Sequence, residues 1–434
     1  MLVFVPHLTE RVKYILDEFL LHRLGLAYKL TDSIEYFMKS HNKRIHYGNT
    51  IIEGCLNIPC APLLFEETLV TQKISVQKDK KWHSQFYILP YENLPDFKIN
   101  TTHLNFDLFA ASFYLLSRYE EYLPGSKDEH NRYKPMNSLA FENNFLEFPL
   151  VDHWHQLFTE TLKKQYPEIP IKNKVFEQLN TVDVDFAYKY KGHGYFPLFR
   201  KFLGSLLKGK PDKYSLVAPK KDPYDTYDFL VQTAKKKNIE TLFFLLLADY
   251  GGHDKNISPL SQEMKDLVQK LLPYNRLGIH PSYKASLQSK ANLYEHQIFK
   301  SLTNFEPKLS RHHFLKAKVP ESYETMFKNG LTEDYTMAYA TAVGFRASTS
   351  LPFYLFNLHK NYTLNILVNS PCVMDVTLKN SFALTPQQAK EKIAQLKQSV
   401  QKVNGNFISI WHNSSFDSSI GWADWKQVYE SLFE

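Results

Sequence analysis

The stretch Leu179-Asn-Thr-Val-Asp-Val-Asp185 determines the interpretation of the second half of this chain. Side chains of a β-strand alternate between two faces, so Val182 and Val184 point to one side while Asp183 and Asp185 point to the other. Two neighbouring carboxylates repel unless a cation, a shared proton or hydrogen-bond donors lie between them, and a divalent metal ion is a common solution. We therefore predict a buried strand with a candidate metal site at its end. The alternative is an ordinary strand end whose aspartates cap the next turn.

More short apolar runs follow this strand, and helical segments separate several of them. Such alternation predicts a parallel sheet, open or closed into a barrel, with functional residues at the C-terminal ends of its strands. The clearest helix is Pro386–Val403, for which Thr385 is the predicted N-cap and Gly405 the end. The predicted strands are Leu179–Val184, Thr241–Leu247, Leu277–His280, His313–Leu315, Gly344–Ala347, Leu364–Val368 and Phe407–Trp411.

The N-terminal part has a different pattern, which predicts a smaller mixed α+β domain. Helices are expected at Thr9–Leu24 and Asp107–Tyr122, and strands with turns between Gly48 and Leu89. The polar, proline-containing stretch Lys163–Gln178 is the best boundary candidate. We therefore predict two domains, residues 1–175 and residues 176–434.

Composition limits the function classes. Apolar residues make up 44% of the 434 residues and the net charge is +7, spread along the chain with one local cluster at Lys189–Lys221. This distribution favours a globular protein with no nucleic-acid partner. The longest apolar run, Leu242–Ala248, is too short to span a bilayer, and three cysteines do not form a disulfide framework. The N-terminus does not read as a signal peptide, so a cytoplasmic location is expected.

Three histidines stand at or near predicted strand ends: His280, His313 and His412. A single such histidine is usually structural. Several of them on separate strands, together with an Asp pair, suggest a mononuclear site in which imidazole and carboxylate bind zinc or a similar ion. Arg346, in Gly344-Phe-Arg-Ala-Ser, is expected at the same edge, where it would pair with a carboxylate and hold it ionised.

These residues, in this order, resemble the polysaccharide deacetylases, the chitooligosaccharide-deacetylase homology family (carbohydrate esterase family 4), over residues 176–434. The resemblance implies a distorted (β/α) barrel and a hydrolase that uses a divalent metal, with zinc expected. Its substrate would be an acetylated polysaccharide or amino-sugar glycan, from which it removes N-acetyl or O-acetyl groups. The resemblance implies that Asp183 is the general base and that Asp185 and His280 are metal ligands. It implies that Arg346 orients the base and that His412 is the general acid. Asp375 corresponds in order to a further aspartate of the family, in the fourth of its five sequence motifs.

The chain departs from the family pattern at two positions. Val184 separates the two acids, which are adjacent in most members, and Lys284 stands where a second metal-binding histidine is expected. We expect His313, or alternatively His312, to supply the missing imidazole. The N-terminal part resembles the accessory domain that precedes such deacetylase domains in some bacterial proteins.

Other functions compete with this interpretation. A strand-end Asp-x-Asp also marks metal-dependent glycosyltransferases, which need no histidine cluster. It also marks phosphatase-like hydrolases, which expect Thr or Val at the position of Ala187. A third alternative is a catalytically weak or inactive carbohydrate-binding protein built on a deacetylase-like domain, and Lys284 is the residue that favours it.

Overall fold

The computed structural model of the protein describes residues 1–78, 86–89, 104–193, 204–207, 221–273 and 276–434. Parts of the predicted strand and turn region 48–89 and of the basic cluster 189–221 lie outside these residues. None of the helices described in these ranges has the length and apolar character needed to cross a bilayer.

The N-terminal part contains a four-stranded parallel sheet in the order β2-β1-β3-β4. Its strands are β1 (Leu2–Phe4), β2 (Lys29–Thr31), β3 (Arg44–Tyr47) and β4 (Leu56–Ile58), and the antiparallel pair β5 (Ser75–Lys78) and β6 (Phe86–Leu89) follows. Its helices are α1 (Glu10–Leu16), α2 (Ile34–Lys39), α3 (Leu108–Leu116), α4 (Leu139–Glu142) and α5 (Leu150–Gln165).

The two helices predicted in this part are confirmed. Thr9 caps α1, because its side chain accepts a hydrogen bond from the backbone N–H of Val12, and a π-helical segment continues the helix to His22. Asp107 caps α3 in the same way through the N–H of Ala110, and a 3₁₀ turn extends to Tyr122. The spacing of apolar residues therefore predicted both helices, and each predicted first residue is the N-cap.

The C-terminal part is built on a nine-stranded sheet in the order β12-β13-β11-β10-β9-β8-β7-β15-β14. Only the β12–β13 pair is antiparallel. The strands are β7 (Glu177–Val184), β8 (Glu240–Leu245), β9 (Arg276–Ile279), β10 (Leu309–Ser310), β11 (Glu333–Asp334), β12 (Phe353–Asn357), β13 (Tyr362–Val368), β14 (Val373–Met374) and β15 (Asn406–His412). The helices are α6 (Tyr227–Lys235), α7 (Gln262–Leu271), α8 (Ser289–Thr303), α9 (Glu321–Lys328), α10 (Pro386–Gln401) and α11 (Trp425–Ser431).

The mixed α/β class is confirmed, but the predicted barrel is not closed. Strands β12 and β14 stand at the two ends of the sheet, and the described residues contain no pairing between them. Helix α10 begins as predicted, with a capping box formed by Thr385 and Gln388. The C-terminal ends of β7, β9, β10 and β15 meet at one edge of the sheet.

Two of the predicted strands are wrong. At His313–Leu315 the chain forms a short 3₁₀ turn, because Phe314 and Leu315 have positive φ angles of 61° and 51° that no strand contains. At Gly344–Ala347 the chain bends at Gly344, whose φ is 110°, and then forms a turn closed by a hydrogen bond from the N–H of Ser348 to the carbonyl of Phe345. The first correction matters for function, since it places His313 after β10 and not at a strand start.

One apolar core runs through both parts of the chain. Phe356 of β12 lies 5.2 Å, between ring centroids, from both Tyr14 of α1 and Phe113 of α3. The buried guanidinium of Arg11 donates to the side chain of Asn361 at 3.1 Å. The N-terminal helices therefore cover one end of the large sheet, and the division at residue 175 stays a prediction.

Candidate metal centre

Asp185, His280 and His313 meet at the C-terminal edge of the large sheet. Each offers one ligand atom, and these three atoms lie within 4.8 Å of one another. Nε2 of His280 is 3.1 Å from Oδ1 of Asp185, and Nε2 of His313 is 3.5 Å from Oδ2. The three residues follow the parallel strands β7, β9 and β10, whose C-terminal ends lie on one edge of the sheet, with β8 between β7 and β9.

The main chain fixes both histidines beside each other. The N–H of His280 donates to Leu245 of β8 at 2.9 Å, and the N–H of His313 donates to Pro281 at 2.9 Å. The second bond ties the turn that follows β10 to the residue after His280. The imidazole rings lie with centroids 5.1 Å apart.

The other nitrogen of each ring has its own acceptor. Nδ1 of His280 is 2.5 Å from the carbonyl oxygen of Arg311, and Nδ1 of His313 is 2.9 Å from Oδ1 of Asp254. Both Nδ1 atoms therefore donate a hydrogen bond, and both Nε2 atoms face Asp185. Next to this carboxylate, each Nε2 can carry a proton or bind a metal ion. One carboxylate and two imidazoles form a donor set that suits zinc or a similar divalent ion.

His313, and not His312, belongs to this group. The imidazole of His312 is buried outside the triad, and burial lowers its pKa to about 3. Lys284, at the position where a second histidine was expected, donates its backbone N–H to Asp254 at 3.3 Å, and Tyr283 does the same at 2.9 Å. The main chain of this segment thus holds the carboxylate that orients His313.

Asp183 points to the same edge as Asp185, as the alternation of β7 predicted. Its Oδ2 is 3.9 Å from Nε2 of His280, and its Oδ1 accepts from Nη1 of Arg311 at 2.7 Å. The same guanidinium donates to Thr181 at 2.7 Å and to the carbonyl of Tyr335 at 3.0 Å. These bonds fix the plane of the guanidinium against the Asp183 carboxylate.

Arg346 does not take the place predicted for it. Its guanidinium pairs in a bidentate manner with Glu121 of the N-terminal part, at 2.9 and 2.7 Å, and donates to the carbonyl of Ala338 at 3.2 Å. Burial alone raises the pKa of Glu121, but Arg346 and Arg118 lower it to about 2. The cation that contacts Asp183 is Arg311, and the assignment of this contact to Arg346 is corrected.

His412 ends β15, the strand that pairs with β7 on the side away from β8 and β9. Its Nδ1 is 2.8 Å from Oδ1 of Asp375, its backbone N–H donates to Oδ2 of the same carboxylate at 2.9 Å, and its Nε2 is 3.6 Å from Oδ2 of Asp185. Burial lowers the pKa of His412, but Asp375, Asp185 and Asp183 together raise it to about 10. A protonated imidazole is therefore favoured at this position near neutral pH.

Sequence reasoning missed two residues of this site, Arg311 and Asp254. Arg311 directly precedes the two histidines of Ser310-Arg-His-His313, so its position next to candidate metal ligands was a usable signal. Asp254 lies in the loop between β8 and α7, where no periodic pattern places a side chain. Only the folded chain brings it to His313.

Comparisons with known proteins extend over parts of the chain. A family model described as DUF7033, a family of unknown function, matches residues 1–167, and no curated protein matches the chain. Among solved structures, a protein described as a polysaccharide deacetylase from Mycobacterium smegmatis is similar, with 12% identity and a TM-score of 0.39 over 60% of this chain and 85% of that one. A polysaccharide deacetylase from Bacillus cereus has 12% identity and a TM-score of 0.28 over 60% of this chain and 86% of its own. An allantoinase has 12% identity and a TM-score of 0.38 over 59% of this chain and 84% of its own. Because these TM-scores are below 0.5, these similarities carry no argument about function.

Proposed function

We propose that the protein is a metal-dependent hydrolase that removes acetyl groups from an amino-sugar glycan. One observation carries the proposal: Asp185 is faced by the Nε2 atoms of His280, His313 and His412, while Asp183 lies beside His280. A metal site, a carboxylate next to it and an imidazole that can donate a proton are together sufficient for a metal-dependent hydrolysis of an amide.

Asp185, His280 and His313 would hold the metal ion. A divalent ion bound there supplies Lewis acidity, which polarises an acetyl carbonyl and lowers the pKa of water. Asp254 and the carbonyl of Arg311 keep both rings in the tautomer with Nε2 free to bind. With three protein ligands, room is left for water and substrate.

Asp183 would act as the general base. Its carboxylate is almost completely buried, and the Arg311 guanidinium at 2.7 Å balances its charge. A carboxylate fixed in this way can accept a proton from the attacking water at Oδ2, the oxygen nearer His280. Arg311 acts through Asp183 and is a positioning residue.

His412 would act as the general acid. Its Nδ1 lies 2.8 Å from Asp375, and this pairing favours the charged ring, in which Nε2 also has a proton to donate. Donation of that proton to the departing amine nitrogen makes the amine a neutral leaving group, without which the amide would re-form. The products are acetate and a free amino sugar.

The glycan class comes from the resemblance of the motifs to the polysaccharide deacetylases. The inactive alternative rested on Lys284, and two observations weigh against it: His313 supplies a second imidazole, and the backbone of Lys284 supports Asp254. A glycosyltransferase site would not need protonated His412 beside the metal ligands. We therefore favour the deacetylase.

Zinc content and acetate release test this proposal together. We expect the purified protein to bind one zinc ion and to release acetate from a panel of N-acetylated chito-oligosaccharides. His280→Ala should lose zinc and activity, while Asp183→Asn should keep zinc and lose activity by at least about 100-fold. His296→Ala is the matched control, since His296 is also buried but lies on α8 outside the triad. Full zinc content in His280→Ala, or full activity in Asp183→Asn, would refute the proposal.

A further inference from the structure

A cavity of about 280 Å³ is lined by residues of both parts of the chain. One wall is the segment Asp128–Met136 of the N-terminal part, which we call the wall segment. The other wall consists of Leu315 and the segment from Ala338 to Thr341, together with Arg346. The volume is close to the lower end of the range of small-molecule sites, roughly 300–1,000 Å³.

The second wall contacts the segments that carry His313 and His412. Leu315 is two residues from His313 and packs with Ala338 and Ile410, the latter two residues before His412. The carbonyl of Ala340 accepts a hydrogen bond at 2.8 Å from Thr377, two residues after Asp375. The cavity therefore borders the elements that carry His313 and His412.

The wall segment is fixed to the loop that carries His313. Arg132 pairs with Asp128 at 2.7 Å and donates to the carbonyl of Phe314 at 2.5 Å. Lys316 donates to the carbonyl of His130 at 2.5 Å, and the rings of His130 and Phe314 lie 4.8 Å apart. The wall segment, which belongs to the N-terminal part, therefore packs against the loop that carries His313.

The lining combines aromatic and apolar surface with polar groups, including the charged side chains of Glu129 and Lys134. The side chains of Tyr133, Tyr339 and Met136 provide aromatic and apolar surface. The charge of Arg346 is balanced by Glu121, and that of Arg132 by Asp128. A sugar ring, with C–H faces for aromatic contact and hydroxyls for hydrogen bonds, matches this surface.

We propose that this cavity binds a sugar unit next to the one at the metal centre, so that the N-terminal part takes part directly in glycan recognition. This inference rests on the proposed function for the position of the reacting unit. It assigns the wall segment a role in substrate specificity, beyond the covering of the large sheet by the N-terminal helices.

Filling the cavity from either wall tests the inference. Met136 is 58% exposed, and Thr341 is exposed on the opposite wall, so Met136→Trp and Thr341→Trp fill the space without disturbing the core. Met38→Trp is the matched control, because Met38 is 54% exposed on α2 and does not line the cavity. The probe is tetra-N-acetylchitotetraose, and its binding to zinc-loaded full-length protein is measured by calorimetry in an Asp183→Asn background.

We expect Met136→Trp and Thr341→Trp to weaken tetrasaccharide binding at least tenfold and Met38→Trp to change it less than twofold, with zinc content constant in all three. Binding by Met136→Trp equal to that of Met38→Trp would overturn the inference, as would absence of tetrasaccharide binding to the parent. If acetate release fails but the tryptophan variants still weaken binding, the sugar site stands and the proposed catalysis falls.

Discussion

Asp254 accepts a hydrogen bond from Nδ1 of His313 at 2.9 Å, although 59 residues separate the two in sequence. The same carboxylate is held by two backbone N–H groups. A carboxylate that fixes the outer nitrogen of a metal-binding imidazole controls both its tautomer and its basicity. This pair fixes the orientation of His313 beside Asp185, and it leads to the first prediction.

Asp254→Asn should lower zinc affinity by about 10- to 100-fold although no direct ligand is removed. Zinc titration against a competing chelator measures the change. Asp222→Asn is the control, because Asp222 also accepts backbone N–H groups, those of Lys189 and Tyr190, but does not contact the triad. Equal zinc affinity in both variants would contradict the assigned role of Asp254.

Zinc affinity should also depend on pH through His313. Burial lowers the pKa of this ring, but Asp185 and Asp254 raise it to about 9. Because zinc must displace the proton, affinity should rise with pH by up to about tenfold per unit below pH 9 and level off above it. Chelator competition at several pH values measures the slope, and Asp254→Asn should shift the plateau to lower pH. A zinc affinity that does not change between about pH 6 and 9 would contradict this prediction.

The pairing of Arg311 with Asp183 can be separated from that of Arg346 with Glu121. Arg311→Met leaves a buried carboxylate unpaired and should lower the free energy of unfolding by about 3–5 kcal/mol. Adding Asp183→Asn should recover about 0.5–3 kcal/mol of that loss. Urea unfolding of the single and double variants measures this coupling.

Arg346→Met provides the control for this cycle. It should couple with Glu121→Gln, its partner at 2.7 Å, and should be additive with Asp183→Asn. Coupling between Arg346 and Asp183 larger than that between Arg311 and Asp183 would restore the original assignment of Arg346.

Gly278 leaves room for the ring that supports Arg311. A Cβ atom there would lie 2.6 Å from the ring of Phe244 and 2.9 Å from the carbonyl of Leu309, while the guanidinium of Arg311 lies 4.5 Å from the centre of that ring. Gly278→Ala should therefore destabilise the protein by about 1–3 kcal/mol and reduce zinc affinity through His280, two residues later. Gly252→Ala, which has open space around it, should change neither property. Thermal unfolding and zinc titration measure both, and an unchanged Gly278→Ala variant would contradict the packing described.

Local patterns predicted the parts of the site that local rules control. The alternation of β7 predicted that Asp183 and Asp185 share one side, and apolar runs predicted β9 and β15, which end beside His280 and at His412. These features depend on a few neighbouring residues. Sequence order alone could not choose between two arginines, because the partner of Asp183 lies three strands away in the sheet order.

Backbone conformations outside the common regions explain the remaining errors. The composition of His313–Leu315 is typical of a short strand. Phe314, however, adopts a positive φ of 61°, which no propensity rule assigns to phenylalanine. Asp254 depends on a loop whose path is set by hydrogen bonds to distant backbone groups. Long-range contacts of this kind cannot be read from spacing along the chain.

The contact of Phe356 with Tyr14 and Phe113 has a consequence for protein engineering and for the history of the chain. The last strand pair of the large sheet has its aromatic face covered by helices encoded more than 200 residues earlier. A C-terminal half expressed alone would present that face to water and aggregate through it. A recombinant that exchanges either half therefore needs complementary aromatic surfaces on the N-terminal helices and on the strand pair, so the two halves are constrained to change together.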